Sequence, residues 1–271
     1  MKNIIKKISI LTLVVIMLLS VFSGCSNEKK VAMENYNTEC ARISEEYDSL
    51  QKVIEESNAL LQSGEKPFDE NLLKELETAI TDANSRSFEI PKASGNADEI
   101  NNLVENEVKK ISYSDIIDNL EKNKINLENS IKVLKQVTNP SEEFIVNCIK
   151  NINGVTGYSA VTEDNDPNGM LNKTGGYTST VYFSYDKVNV SFLDGTIIEN
   201  GTDGGGSIEV YSTEEDVNKR NDYLASFDGG ILSSGSHTVV GTVLVRTSNY
   251  LTASQQKELE NAIIEKLTEL N

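Results

Sequence analysis

Glycine usage divides this chain into two kinds of polymer. Between Cys25 and Asn153 only Gly64 and Gly95 occur, whereas fourteen of the seventeen glycines come after that point. Glycine weakens helices and serves turns. The first half is therefore expected to be helical and the second half rich in strands and tight connections. The fold class expected is α+β: an N-terminal antiparallel helical bundle or coiled coil, then a mainly antiparallel sheet with helices on one face, ferredoxin-like in one arrangement of its strands.

The helical half carries its own punctuation. Tyr36, Cys40, Ile43, Tyr47, Leu50, Ile54 and Leu61 form a helical seam within a first helix over about Val31–Gln62, stopped by Gly64 and Pro67. Asp69 is expected to cap a second helix with Leu72, Leu73, Leu76, Ile80 and Ala83 on its inner face. Asn96 and Glu99 read as a capping box for a third, which runs on past Leu134 and bends near Ser112–Asp115. Three such helices bury their stripes against one another, either as a stalk or as a surface that grips a partner.

The next unit opens at Asn139-Pro140-Ser141-Glu142, with Asn139 as cap, proline at the first helical position and glutamate at the third. Strands are expected at Tyr158–Thr162, Thr178–Tyr185, Val188–Leu193, Ser207–Tyr211 and Thr238–Arg246, where β-branched and aromatic residues gather. Ser212 with Glu215 opens a helix over Glu214–Phe227, and Thr252 with Gln255 opens the last one.

The beginning of the chain sets its address. Lys2, Lys6 and Lys7 precede an apolar run from Ile8 to Phe22, then Ser23-Gly24-Cys25. A basic start, an apolar core of about 7–15 residues and small residues at the cut describe a secretory signal. The block SVFSGC resembles the lipobox of bacterial lipoproteins, with Phe22 where leucine is commoner. That resemblance implies lipidation of Cys25 and a membrane-held protein facing outside the cytoplasm. The alternative is an uncleaved membrane helix, for which the core is short against the roughly 20 residues a span needs. The expected layout is a signal over 1–24, a lipid-anchored linker over 25–30, a helical stalk over 31–138 and an α+β surface domain over 139–271.

In that last domain VTEDNDPNG, GGYTSTVYFS, GTDGGGSIEVY, FDGG, SGSHTVVGTVLVRTS and LTASQQ are similar to a C-terminal domain of lipoproteins and surface proteins of Gram-positive bacteria. The similarity covers about residues 140–271. It implies a domain boundary and a surface location, and transfers no catalytic residue.

Charge and cysteines exclude some classes of function. The formal net charge is −17, and losing the three lysines of residues 1–24 deepens it to −20. So acidic a chain is repelled by nucleic acid. Cys40 and Cys148 remain once Cys25 is lipidated; an oxidising exterior permits a disulfide between them, and their apolar settings also suit two buried free thiols. No C-x-x-C occurs.

Three stretches carry candidate chemistry. Asp164, Asp166, Asn168 and Gly169 fit the first half of a calcium loop, but the twelfth position is Gly175 instead of glutamate, so a polar turn competes with a calcium site. The Gly201–Gly206 loop around Asp203 lacks the Walker lysine and leads to a strand, which favours a turn. His237, the single histidine, has serines nearby but no sequence pattern of a triad or a metal site. Tyr177, Asp203 and His237 are the candidate ligand contacts. Two functions compete: a surface module that binds an envelope glycan or protein, and a calcium-assisted envelope enzyme acting on a glycan. A transporter's solute-binding lipoprotein would need repeated βαβ units, which the pattern does not supply.

Overall fold

The computed structural model describes residues 27–191, 193–230, 233 and 235–270. The expected signal segment and Cys25 lie outside them, and no described helix is long and apolar enough to cross a membrane. The described chain forms two compact units. One holds the residues up to Glu65 with Glu70–Glu128, the other Lys66–Asp69 with the residues from Asn129 on.

The first unit is helical: α1 (Asn27–Gln62), α2 (Asn71–Asn84), α3 (Ala97–Asn106) and α4 (Ser114–Gln136), the last running on into the second unit. Tyr36, Ile43, Leu50 and Ile54 of the α1 seam are buried, with Leu76, Ile80 and Ala83 of α2, Ile100 of α3 and Leu120 and Leu127 of α4. The Asn96–Glu99 capping box is formed in full.

Two expectations need correction here. Glu70, not Asp69, is the residue before α2, and it makes no side-chain cap. The third helix breaks instead of bending. After α3 comes a 3₁₀ turn, Val108–Lys110, and α4 starts afresh at Ser114. Side chains of α1 take up backbone groups at the break: Arg42 Nη2 donates to Ile111 O (3.0 Å) and the Tyr113 N–H donates to Glu46 Oε2 (2.8 Å). Tyr113 also packs edge-on against Tyr47, whose ring meets Phe88. Such partners remove the cost of orphaned groups and make a full break tolerable.

The second unit contains α5 (Glu142–Ile149), β1 (Val155–Ala160), β2 (Tyr177–Tyr185), α6 (Ile197–Asn200), β3 (Gly205–Tyr211), α7 (Glu214–Ala225), β4 (His237–Val240), β5 (Val243–Thr247) and α8 (Ala253–Thr268). It takes in the end of α4 as well, ahead of the expected start at Asn139. Val137 belongs to its core, and Gln136 Nε2 donates to Leu267 O (2.8 Å) and Glu269 O (3.0 Å).

The strand order is β1-β2-β3-β5-β4 and every neighbouring pair is antiparallel. Among the described residues one split β-α-β unit is present, β3-α7-β4 with β5 inserted. The second such unit that a ferredoxin-like fold requires is not formed, because β1 and β2 are adjacent. Thr238–Arg246, expected as one strand, folds as the β4–β5 hairpin, since Gly241 (φ +61°) supplies the left-handed first position of its two-residue turn. Val188–Leu193 is not a strand in its described residues.

Alternation sorts the strand residues into two faces. Val181, Phe183, Ile208, Val210, Val243 and Val245 pack with Ile145 and Ile149 of α5 and Leu259, Ile263 and Leu267 of α8. The opposite face carries Tyr177, Tyr211 and Leu244 and is covered by Val217 and Leu224 of α7. The helices therefore lie on both faces, not on one as expected. The charges inside Ser207–Tyr211 and Thr238–Arg246 need a cover of their own, and α7 supplies it.

Candidate functional site: the polar face of the sheet

Register places the site residues. Tyr182 pairs with Ser207, Ser207 with Arg246 and Arg246 with His237, so one row of polar side chains crosses four strands. In the adjacent row of the same face stands Glu209, opposite Thr180. Its side chain is 0% exposed. An unpaired carboxylate so placed would be severely penalised. Arg246 Nη1 reaches Glu209 Oε1 at 2.8 Å, and Arg220 of α7 contacts both oxygens at 3.1 and 3.4 Å. The Tyr211 hydroxyl donates to Glu209 Oε2 at 2.7 Å. Burial by itself would raise the Glu209 pKa; the two guanidinium groups outweigh it and hold the group below the usual carboxylate range. Burial, reinforced by the carboxylate, drives the Tyr211 hydroxyl the other way, so it stays protonated.

A second carboxylate organises the loop leading into β2. Asp166 Oδ2 accepts the N–H groups of Met170 (2.6 Å) and Leu171 (2.8 Å), and Oδ1 accepts that of Asn168 (3.0 Å) together with the Tyr177 hydroxyl. Burial opposes its ionisation, but Tyr177 and these three amides hold its pKa below the ordinary value. Asn168 turns its amide nitrogen, at 3.4 Å, toward the hydroxyls of both Tyr177 and Tyr182. This is the geometry of an Asx-organised turn. It departs from the calcium reading, in which the same oxygens face an ion. Asp164 is exposed on the same loop, and among the described residues no group of three His, Cys, Asp or Glu side chains is arranged to hold a metal.

The other candidates separate. Tyr177 is buried and packs edge-on against Tyr211 at 6.3 Å. His237 Nδ1 lies 2.7 Å from Asn221 Oδ1 and Nε2 lies 3.3 Å from Asp228 Oδ1, so it ties β4 to α7 and the turn after it. Asp203 sits in a 3₁₀ turn, Gly201–Gly204, where its carbonyl accepts the Ser248 hydroxyl at 2.7 Å. Cys40 and Cys148 are both free thiols; Cys148 Sγ donates to Lys266 O at 3.4 Å, and burial pushes its pKa up to about 11.

Elsewhere on this unit a depression of about 240 Å³ is lined by Asn151–Gly154, Tyr185–Lys187 and residues of α8 between Glu258 and Lys266. Its lysines are engaged, Lys187 with Glu258 (2.9 Å) and Lys266 with Glu269 (2.7 Å). The sequence reading missed Glu209, Arg220 and Arg246. The signal was present, since a lone glutamate in SIEVY and a lone arginine in VLVRT each interrupt a β-branched run.

Chemically, the polar face is a closed charge network. Both of its organising carboxylates accept fixed donors, Asp166 from three amides and Tyr177 and Glu209 from two arginines and Tyr211. Comparison with protein-family models, with curated proteins and with solved structures finds no match for this chain.

Proposed function

We propose that this chain is a lipid-anchored lipoprotein facing outside the cytoplasm, with a sheet unit that binds an envelope protein or glycan and performs no reaction on it. The anchor rests on the basic start, the short apolar core and the SVFSGC block ending in Cys25. Two or more acyl chains at that cysteine give stable attachment. The binding role is carried by one observation: the carboxylates of the polar face are tied to fixed donors, Glu209 to two arginines and a tyrosine, and Asp166 to three amides and a tyrosine. The strongly acidic charge weighs against nucleic acid as a partner. The competing reading, a calcium-assisted glycan enzyme built on Asp164 and Asp166, has less support because the Asp166 oxygens face N–H and O–H donors.

Metabolic labelling with palmitate followed by membrane fractionation tests the anchor. The wild-type chain is expected to be labelled and to sediment with membranes, and Cys25→Ala to lose the label. An unlabelled wild-type chain would remove the lipoprotein assignment.

A further inference from the structure

The sheet ends in two edges, β1 and β4. β4 is four residues long and is backed by α7; β1 is six residues long, with α5 and α6 against it. Tyr158 faces Phe183 and Ala160 faces Val181, while the Val161 N–H donates to Thr180 O at 2.9 Å. In an antiparallel ladder hydrogen-bonded and non-hydrogen-bonded pairs alternate. Val161 and Thr180 are a hydrogen-bonded pair, so Tyr158 and Ala160 belong to non-hydrogen-bonded ones. Their four backbone groups point away from β2.

Natural sheets protect such edges with lysine, proline or bulges. β1 has a bulge only at its start, between Val155 and Gly157, and from Gly157 to Ala160 it contains neither charge nor proline. Ile197 packs over the Gly157 face, which covers the sheet surface and not the ladder edge. Tyr158 is 43% exposed beside the outward-pointing groups.

We infer that β1 is a docking edge for an extended, lysine- or arginine-bearing protein segment, which adds as a sixth antiparallel or parallel strand. This deepens the binding-module reading and rests on it. Strand addition supplies affinity through main-chain hydrogen bonds and specificity through alternate side chains. Charge selects the occupant. The exposed carboxylates Glu163 and Asp164 follow β1 directly, Asp186 follows its partner strand, and Lys187 beside it is paired with Glu258. A second copy of this chain would bring the same acidic rims together, so a basic segment is favoured over self-pairing.

The test uses the full-length chain in detergent and a short capped peptide alternating valine with lysine. Three relatives of the peptide serve as comparison: one with glutamate for lysine, one N-methylated on alternate amides, and one N-methylated on the remaining amides. The lysine peptide is expected to bind and to protect the amide protons of Tyr158 and Ala160 from exchange. Glutamate, or methylation of the amides facing β1, is expected to weaken binding by about tenfold or more. Ala160→Pro removes one outward N–H at an edge, where proline is tolerated, and should abolish binding while the chain still unfolds cooperatively. No binding at millimolar peptide, or equal affinity for both methylated peptides, would overturn the edge as the site. So would self-association that protects Tyr158 and Ala160 with no peptide present. Peptide binding with protection at Arg220 or Tyr223 would also overturn it, while leaving the binding-module reading in place.

Discussion

In the helical unit the ion pair of Arg42 and Glu46, at 2.6 Å, sits on the border of the structure with both side chains partly exposed. In the sheet unit Glu209 has no exposure at all and is held by two arginines. The first pair stitches a break between helices, and water helps to solvate it. The second must satisfy a carboxylate that water does not reach. The difference follows from geometry. A helix surface lets long side chains turn toward solvent, whereas a central strand sends every second residue into a face that a helix then closes.

Removing one member from each pair should expose that contrast. Glu209→Gln leaves the buried Arg246 and the partly exposed Arg220 without their counter-charge, and is expected to cost about 3–5 kcal/mol in urea unfolding of the sheet unit. Asp166→Ala strips the acceptor from the Met170 and Leu171 amides, which should cost about 1–3 kcal/mol. With Asp166 intact, saturating calcium or excess EDTA is expected to leave the melting temperature unchanged; a rise with calcium that disappears in Asp166→Ala would restore the ion site. Glu46→Gln, at a partly hydrated site, should cost about 1–2 kcal/mol and act on the helical unit.

Acid provides a finer comparison. Glu209, Asp166 and Glu46 all have depressed pKa values in the folded chain. Each therefore contributes stability in full above its unfolded value, 4.5 for the glutamates and 3.8 for the aspartate, and loses it as pH falls through the lower folded value. The melting temperature should hold steady from neutral pH and drop once the pH passes below those values. In Glu209→Gln the acid-dependent part of the drop should be smaller, which pH-dependent calorimetry would read.

Local signals in the sequence translated well where the physics is local. The boxes at Asn96–Glu99 and Thr252–Gln255 are both formed, because each needs only residues three apart. Where two cap candidates stood close together, the backbone decided. Thr213 caps α7 by accepting the Asp216 N–H, not Ser212 with Glu215, and Ser141 caps α5, while Asn139 adopts a left-handed φ of +45°. The polar face was legible only in part. Period-two alternation puts Ser207, Glu209 and Tyr211 on one side of β3, but nothing in one strand says that Arg246 lies beside them or that Arg220 arrives from α7. At Asp166 the sequence left a polar turn and a calcium loop both open, since spacing does not distinguish an ion from the three amides that its carboxylate accepts here. Break and bend near Ser112 differed because Arg42 and Glu46, some seventy residues earlier in the chain, supply the missing hydrogen bonds.

On the proposed reading the buried charges of the sheet unit satisfy one another and recognition belongs to the edge of the sheet. The most direct test replaces the network as a whole, with Glu209→Leu, Arg220→Leu, Arg246→Met and Tyr211→Phe in one chain, and measures both urea stability and binding of the lysine peptide. Apolar replacement of an entire buried ion network is often neutral or stabilising, unlike removal of one member. The prediction is that this chain recovers most of the stability lost in Glu209→Gln and binds the peptide with unchanged affinity. A folded, stable chain that no longer binds the peptide would contradict it and return the polar face to the role of the binding site.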